Sequence, residues 1–364
     1  MGFAMNLSDF RYLTLDAMRG VAAILVVLFH CNNRVFGDTN IVGYLAVDFF
    51  FALSGFVIDF AYRQRLSEGM TFMRFLEVRL VRLYPLFLLG IGFGLIKAVS
   101  QIMFHDKNAL APVPLALTAF SNGLMLPVPL PLEFLFPLNI PAWSLFFELL
   151  INIIYGYTLF RWTARSLGVV IILNSILVAI GASRYGWLNI GMDWNTFFYG
   201  IGRVGFSFTL GIVISRLHRR IDRKQSILAI VPIAILLVIF LVPAPDYLRA
   251  WRDLLCVFVI LPLILEAGIR LEIPKGLRFY AELLGDLSYP IYILHYPLLT
   301  IGYFLAQRTA SFSPLKFTIG YVFVVCFIAW FVERYYDRPV RLIISKRLHI
   351  RRSAMPQVIG KKMI

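Results

Sequence analysis

Along most of the chain, apolar positions come in long unbroken runs and polar positions in short clusters between them. The runs cover 15–33, 41–62, 76–103, 142–160, 166–183, 197–215, 227–243, 250–269, 287–307 and 315–335. Each approaches or exceeds the roughly 17–25 residues that a helix needs to cross a bilayer. None alternates with the period of two expected of a lipid-facing strand. The pattern predicts an all-α, polytopic integral membrane protein with about ten transmembrane helices. Composition agrees: 60% of residues are hydrophobic and 15% charged, where soluble domains carry about 25% charged residues. Mean hydropathy is +0.78.

The net charge of +15 is spread along the chain with a strong bias. With the N-terminus placed in the cytoplasm, 26 of the 35 lysines and arginines fall on that side and seven, Lys107 and Arg249 among them, on the other. This is the positive-inside asymmetry, and it puts both termini in the cytoplasm. It also removes the reason to invoke nucleic acid. Residues 1–345 form one expected membrane domain, and 346–364 a basic tail able to touch anionic lipid heads. Cys31, Cys256 and Cys326 show no spacing that implies a disulfide framework or a metal site. "GIGRVG" at 200–205 lies within an apolar run with no strand before it, so its glycines are expected to serve helix contact. The proline-rich, apolar stretch 104–141 is expected to fold back as a re-entrant loop or cap, shielded by protein.

Ionisable groups within such runs cost about 2.5–3.5 kcal/mol each at mid-membrane, which makes them functional candidates. "LDAMRGVAAILVVLFH" carries Asp16, Arg19 and His30. At 100° per residue all three share one helix face, with His30 toward the far end. The plain alternative is a self-neutralising Asp16–Arg19 pair and a His30 satisfied by a carbonyl. "VDFFFALSGFVIDF" adds Asp48 and the small pair Ser54 and Gly55, which also suits a tight helix crossing. In "RLVRLYP", Arg79 and Arg82 share a face at the cytoplasmic mouth, where paired guanidiniums suit phosphate as well as simple snorkelling. Ser144, Glu148 and Asn152 recur every four residues in "PAWSLFFELLIN", and Ser288, Tyr292 and His295 make a second polar stripe in "LSYPIYILHYP". Together these stripes predict a central polar chamber.

The same segments resemble the signatures of the acyltransferase-3 family of integral membrane O-acyltransferases. "LDAMRGVAAILVVLFH" is similar to its opening, "VDFFFALSGFVI" to its second signature, and "RLVRLYP" to its R-x-x-R-x-x-P. "WSLFFE", with Trp143, Ser144 and Glu148, "LSYPIYILHYP", with Tyr289, and "VERYYDRPVR", with Glu333, follow in the family's order. Alanine at 46 and "FELLIN" after the tryptophan depart from the pattern. The resemblance implies transfer of an acyl group, usually acetyl, from cytoplasmic acyl-CoA to a hydroxyl of an exported or cell-surface sugar, in the inner membrane. It implies His30 as the catalytic histidine and Arg19, Arg79 and Arg82 as donor-binding residues. Asp16, Asp48, Ser54, Trp143, Ser144, Glu148, Ser288, Tyr289, Tyr292, His295 and Glu333 are expected to line or support the chamber. Acyl-CoA is the expected co-substrate, with no bound cofactor, no metal and no appended C-terminal hydrolase-like domain.

A polytopic exporter of a glycan or lipid-linked saccharide remains the alternative from another class, since intramembrane Asp, His and Glu also suit proton relays. Binding of acyl-CoA separates the two.

The charge distribution generates one prediction. Cysteines placed by Lys107→Cys and Asp246→Cys should react with a membrane-impermeant maleimide from the non-cytoplasmic side. Labelling of position 107 only from the cytoplasm would overturn the span count.

Overall fold

The computed structural model describes residues 11–37, 41–107, 109–218, 224–308 and 312–348. The far part of the expected basic tail, from 349, lies outside them. The helices are α1 Leu13–Cys31, α2 Ala46–Ser67, α3 Phe72–Met103, α4 Pro112–Gly123, α5 Ala142–Tyr157, α6 Ala164–Tyr185 and α7 Phe197–Leu217. They continue with α8 Ile230–Leu241, α9 Asp246–Leu255, α10 Leu261–Arg270, α11 Arg278–Ala306, α12 Pro314–Val332 and α13 Arg338–Arg347. Among the described residues, extended pairing is limited to β1 Lys224–Gln225 beside β2 Leu271–Glu272, which run parallel. Every predicted apolar run is found as helix. The run at 250–269 is α9 and α10 joined by a π-helical turn, Cys256–Ile260, and a second π turn, Glu333–Asp337, joins α12 to α13.

Six of these helical stretches are long and apolar enough to cross a membrane. They divide into an inner and an outer set. The spans built on α1 and α2 are 72% buried within the protein, whereas α6 and the α12–α13 run are only 22% buried. The outer helices leave stripes of large apolar side chains uncovered, Val169, Ile172, Leu173, Ile176 and Ile180 on α6 for example. In water such a stripe would be a liability; in lipid it is the ordinary surface.

Two parallel helix pairs form the centre, α1 against α11 and α2 against α7. Both rely on glycine, because helices associate in lipid through close backbone approach rather than apolar burial. A Cβ on Gly20 would lie 2.5 Å from the carbonyl oxygen of Leu284. One on Gly55 would lie 2.0 Å from that of Phe208, and one on Gly211 2.0 Å from that of Ala52. Gly202 and Gly205, from "GIGRVG", pack against Leu177 and Asn174 of α6, the helix-contact role expected of them.

Buried ion pairs pin α2 to α7 at both ends. Arg203 and Asp48 meet at 2.6 Å with side chains 0% and 1% exposed. Arg203 also donates to the carbonyls of Ile190 (2.7 Å) and Tyr44 (2.9 Å), and its guanidinium stands 5.4 Å from the Trp143 ring. Toward the other end, Arg216 meets Asp59 at 3.3 Å. Asp48 and Trp143, expected to line or support the chamber, do not line the cavity described below; both hold Arg203 instead.

Of the stretch 104–141, only the part after α4 folds inward; α4 leaves Val113, Leu117 and Phe120 exposed. After α4 the chain continues without regular structure yet buries Val128, Leu135, Phe136 and Leu138. Its backbone presses on α3, where a Cβ on Gly94 would lie 1.9 Å from the Leu138 oxygen. Asn139 then solves a problem in α11. Pro297 has no amide hydrogen to offer the carbonyl four residues back, and Asn139 Nδ2 donates to that carbonyl, of Ile293, at 2.8 Å.

Two consequences are measurable. Gly55→Ala should lower the thermal midpoint in detergent by several degrees, while Gly92→Ala, whose Cβ meets nothing within 4 Å, should leave it within about a degree. Asp48→Asn should be worse, since breaking a buried pair costs about 3–5 kcal/mol, and Asp48→Asn combined with Arg203→Met should regain part of that loss.

Candidate active site

α1, α2, α3, α5, α11 and α13 enclose a cavity of about 180 Å³. Its polar wall consists of Arg19, Ser54, Arg79, Arg82, Ser144, Glu148, Ser288, Tyr289, Tyr292 and Arg341, and Val47, Phe50 and Leu53 contribute to its apolar wall. Six of the residues expected for the chamber and the three arginines expected to bind the donor thus line one space, although they come from five helices.

Each arginine is aimed by a specific partner. Arg19 bonds Asp16 at 2.9 Å, the Ser288 hydroxyl at 2.8 Å and the Gly285 carbonyl at 2.8 Å. Asp16 lies behind it, shared with Arg11, which reaches on to Asp286 at 2.9 Å. Asp16 is therefore a holder of arginine and not a wall residue. Arg79 meets Glu148 Oε1 at 3.1 Å, and Ser54 donates to the same oxygen at 2.9 Å. Ser54 faces the cavity while its neighbour Gly55 makes the helix crossing, so both readings of that pair hold, one residue each. Arg82 makes no hydrogen bond or ion pair among the described residues, although it lines the cavity.

Toward the other end, the hydroxyls of Ser144 and Tyr292 lie 2.7 Å apart, and Tyr292 donates to the Pro141 carbonyl at 3.3 Å. Tyr289 donates to the Leu83 carbonyl at 2.5 Å, tying α11 to α3. Phe50 stands edge-on to Tyr292, with ring centroids 5.5 Å apart.

His30 does not line the cavity. It occupies the last turn of α1, eleven residues past Arg19, or about 16 Å along the axis. There it meets His295 edge to face at 5.0 Å between centroids, and Tyr296 at 5.1 Å. His295 Nδ1 lies 2.7 Å from the Tyr292 carbonyl oxygen. A carbonyl only accepts, so Nδ1 carries the hydrogen of this contact. His295 Nε2, like Nδ1 of His30, is buried without a hydrogen-bond partner among the described residues. The rings of Tyr292 and His295 are 6.0 Å apart, so Tyr292 is the link between cavity and histidine pair. The site has two parts, an arginine-lined cavity and, packed beyond Tyr292, a pair of imidazoles.

Glu333 also stands outside the wall, 3.8 Å from Arg341, which Asp337 holds more closely at 2.7 Å. Arg341 was not among the sequence candidates. Its signal was present: Glu333, Asp337 and Arg341 recur every four residues, as the recognised stripe Ser144–Glu148–Asn152 does. Asn152, in turn, is buried away from the cavity.

Residues 12–333 match a family described as "Acyltransferase domain", acyltransferase-3. The chain is also 35% identical over 190 residues to "Protein 2 in picA locus" of Rhizobium radiobacter, an alignment covering 48% of this chain and 96% of that protein. No solved structure matches the chain. With its helical, membrane-spanning architecture and a match over most of its length, the chain belongs to the acyltransferase-3 family of polytopic membrane O-acyltransferases.

Proposed function

We propose that the protein moves an acyl group, acetyl in the simplest case, from acyl-CoA to a hydroxyl of an exported or cell-surface sugar. The carrying observation is the pairing of an arginine-lined cavity with a histidine pair, in which His30 lies about 16 Å along α1 from Arg19. Coenzyme A has the matching layout. Its phosphates lie at one end, its thioester at the other, and a thin pantetheine arm connects them. Guanidiniums grip phosphate oxygens bidentately, which assigns Arg19, Arg79 and Arg82 to the donor. Arg79 carries Glu148 as a stand-in partner until the donor arrives. The apolar wall of Val47, Phe50 and Leu53 suits the arm. The arginine end would then face the cytoplasm, with both termini on that side and the protein in the inner membrane.

His30 serves as general base. Its imidazole takes the proton of the acceptor hydroxyl as that oxygen attacks the thioester carbonyl carbon. The C–S bond breaks, an ester forms, and the leaving thiolate recovers the proton from the imidazolium. A positioned base is worth about 10²–10⁴-fold. The thioester is already activated, so transfer runs directly to the acceptor without an acyl-enzyme. Tyr292 links the cavity to the histidine pair. The exporter alternative is set aside, because export alone needs neither a donor cavity nor a base.

Purified protein in detergent provides the test. His30→Ala should lower transfer from labelled acetyl-CoA by at least about 100-fold while binding CoA as tightly as wild type. Arg79→Ala combined with Arg82→Ala should weaken CoA binding in calorimetry. Unchanged CoA affinity in the folded double variant would remove the donor assignment. A stoichiometric acyl adduct on His30 that then passes to added acceptor would replace the direct route. Mass spectrometry of surface glycans with and without the gene identifies the acceptor.

A further inference from the structure

We propose that Arg341 of α13 is a further donor-binding residue, which with Arg82 grips a phosphoryl group of the acyl-CoA. The inference rests on the donor reading above and adds a residue from the end of the described chain, the last of "VERYYDRPVR", to which the resemblance assigns no role.

Arg341 lines the cavity together with Arg82, although the two lie 259 positions apart. α13 packs directly on α3, which carries Arg82. The π turn Glu333–Asp337 re-aims the chain between α12 and α13, a feature that recurs at functional sites. The result sets Glu333, Asp337 and Arg341 together, with Arg341 only 6% exposed.

A purely structural arginine would be expected to spend its donors on the protein. This one does not. Asp337 Oδ2 takes one nitrogen at 2.7 Å, Glu333 stands off at 3.8 Å, and Nε is buried with no partner among the described residues. A second cation, Arg82, lines the same cavity. Arg82 lacks a hydrogen-bonded carboxylate among the described residues. Two guanidiniums facing one shielded space repel each other, and neither is fully compensated. An anion between them relieves both defects at once.

The chemistry favours a phosphoryl group over a carboxylate. Several acceptor oxygens allow simultaneous bonds to two planar forks. The location agrees, because Arg19 bonds Gly285 and Ser288, which precede Tyr292 on α11. The phosphate is thus held on the side away from the histidine pair, and the thioester points toward it. Asp337 acts as a positioning residue by holding Arg341 toward the cavity.

The experiment measures binding of CoA and of S-acetylpantetheine, which lacks phosphate, to the full-length protein in detergent. Arg341→Gln should raise the Kd for CoA by about 10–100-fold, the loss expected for bonds to a charged group. It should leave the Kd for S-acetylpantetheine within about twofold. Arg341→Lys should recover only part of the loss, since an ammonium lacks the fork. Because Arg341→Gln strands Asp337, Asp337→Asn combined with Arg341→Gln serves as the variant that keeps the local charge balanced, with a thermal melt to confirm folding. If wild type binds CoA and this folded double variant binds it equally well, Arg341 is structural and the proposal is wrong. If both ligands weaken together, the effect is on the shape of the cavity, and the phosphate assignment falls. Failure of wild type itself to bind CoA would instead overturn the donor reading on which the inference stands.

Discussion

A guanidinium in a low-dielectric bundle needs a counter-charge and hydrogen-bond acceptors, and the places where the arginines find them organise this molecule. Arg203 finds Asp48, Arg216 finds Asp59, Arg252 finds Asp253, Arg19 finds Asp16 and Arg79 finds Glu148. The pairs differ in what else surrounds them. Around Arg203, two carbonyls and an indole ring complete the shell, and the group is sealed. Around Arg19, Arg79 and Arg341, part of the shell is cavity. The same interaction therefore builds scaffold where it is saturated and a binding surface where it is not. Arg82 is the limiting case, a cavity-lining cation with no hydrogen-bonded or ion-paired carboxylate among the described residues.

Backbone polarity imposes a second constraint of the same kind. Nothing in hydrocarbon can satisfy a stray carbonyl, so irregular chain and helix prolines must be answered from within the protein. α11 contains Pro290 and Pro297, and the stretch 124–141 contains no helix. Each has what the other lacks. The folded-in segment supplies Asn139 to the carbonyl that Pro297 releases, and α3 supplies Gly94 to make room for the segment. This insertion places Pro141 and the start of α5 beside Tyr292, where Ser144 and Tyr292 meet. A loop whose composition suggests a cap thus helps to position Tyr292, which lines the cavity beside the histidines.

Separation of the two parts of the site has a chemical logic under the proposed reaction. Phosphate recognition wants concentrated positive charge, whereas a histidine base would be discouraged from accepting a proton beside it. A helix is a convenient ruler for keeping them apart, since α1 carries Arg19 and His30 on one face. Tyr292, held by Ser144, stands between them without adding charge.

Much of this was legible in the chain itself. Helices follow from runs too long and too evenly apolar to be anything else. Gly55 and the glycines of 200–205 mark contacts, and the four-residue spacing of Ser144 and Glu148 marks a common face. These are local facts, because helical geometry converts sequence separation directly into angle and rise. The roles of individual charges are not local. Asp48 and Glu148 look alike in sequence, each an acid among apolar neighbours, yet one is buried under Arg203 and the other lines the cavity. The difference lies in which distant helix brings a guanidinium to it and how completely that contact is closed. Arg341 makes the same point from the other side. Its spacing from Glu333 and Asp337 was readable, but its address beside Arg82 exists only once α13 has docked on α3. The sequence by itself determined the helices and which side chains share a face. Only the tertiary structure decided which faces meet, because desolvation and pairing energies depend on partners hundreds of residues away and not on neighbours along the chain.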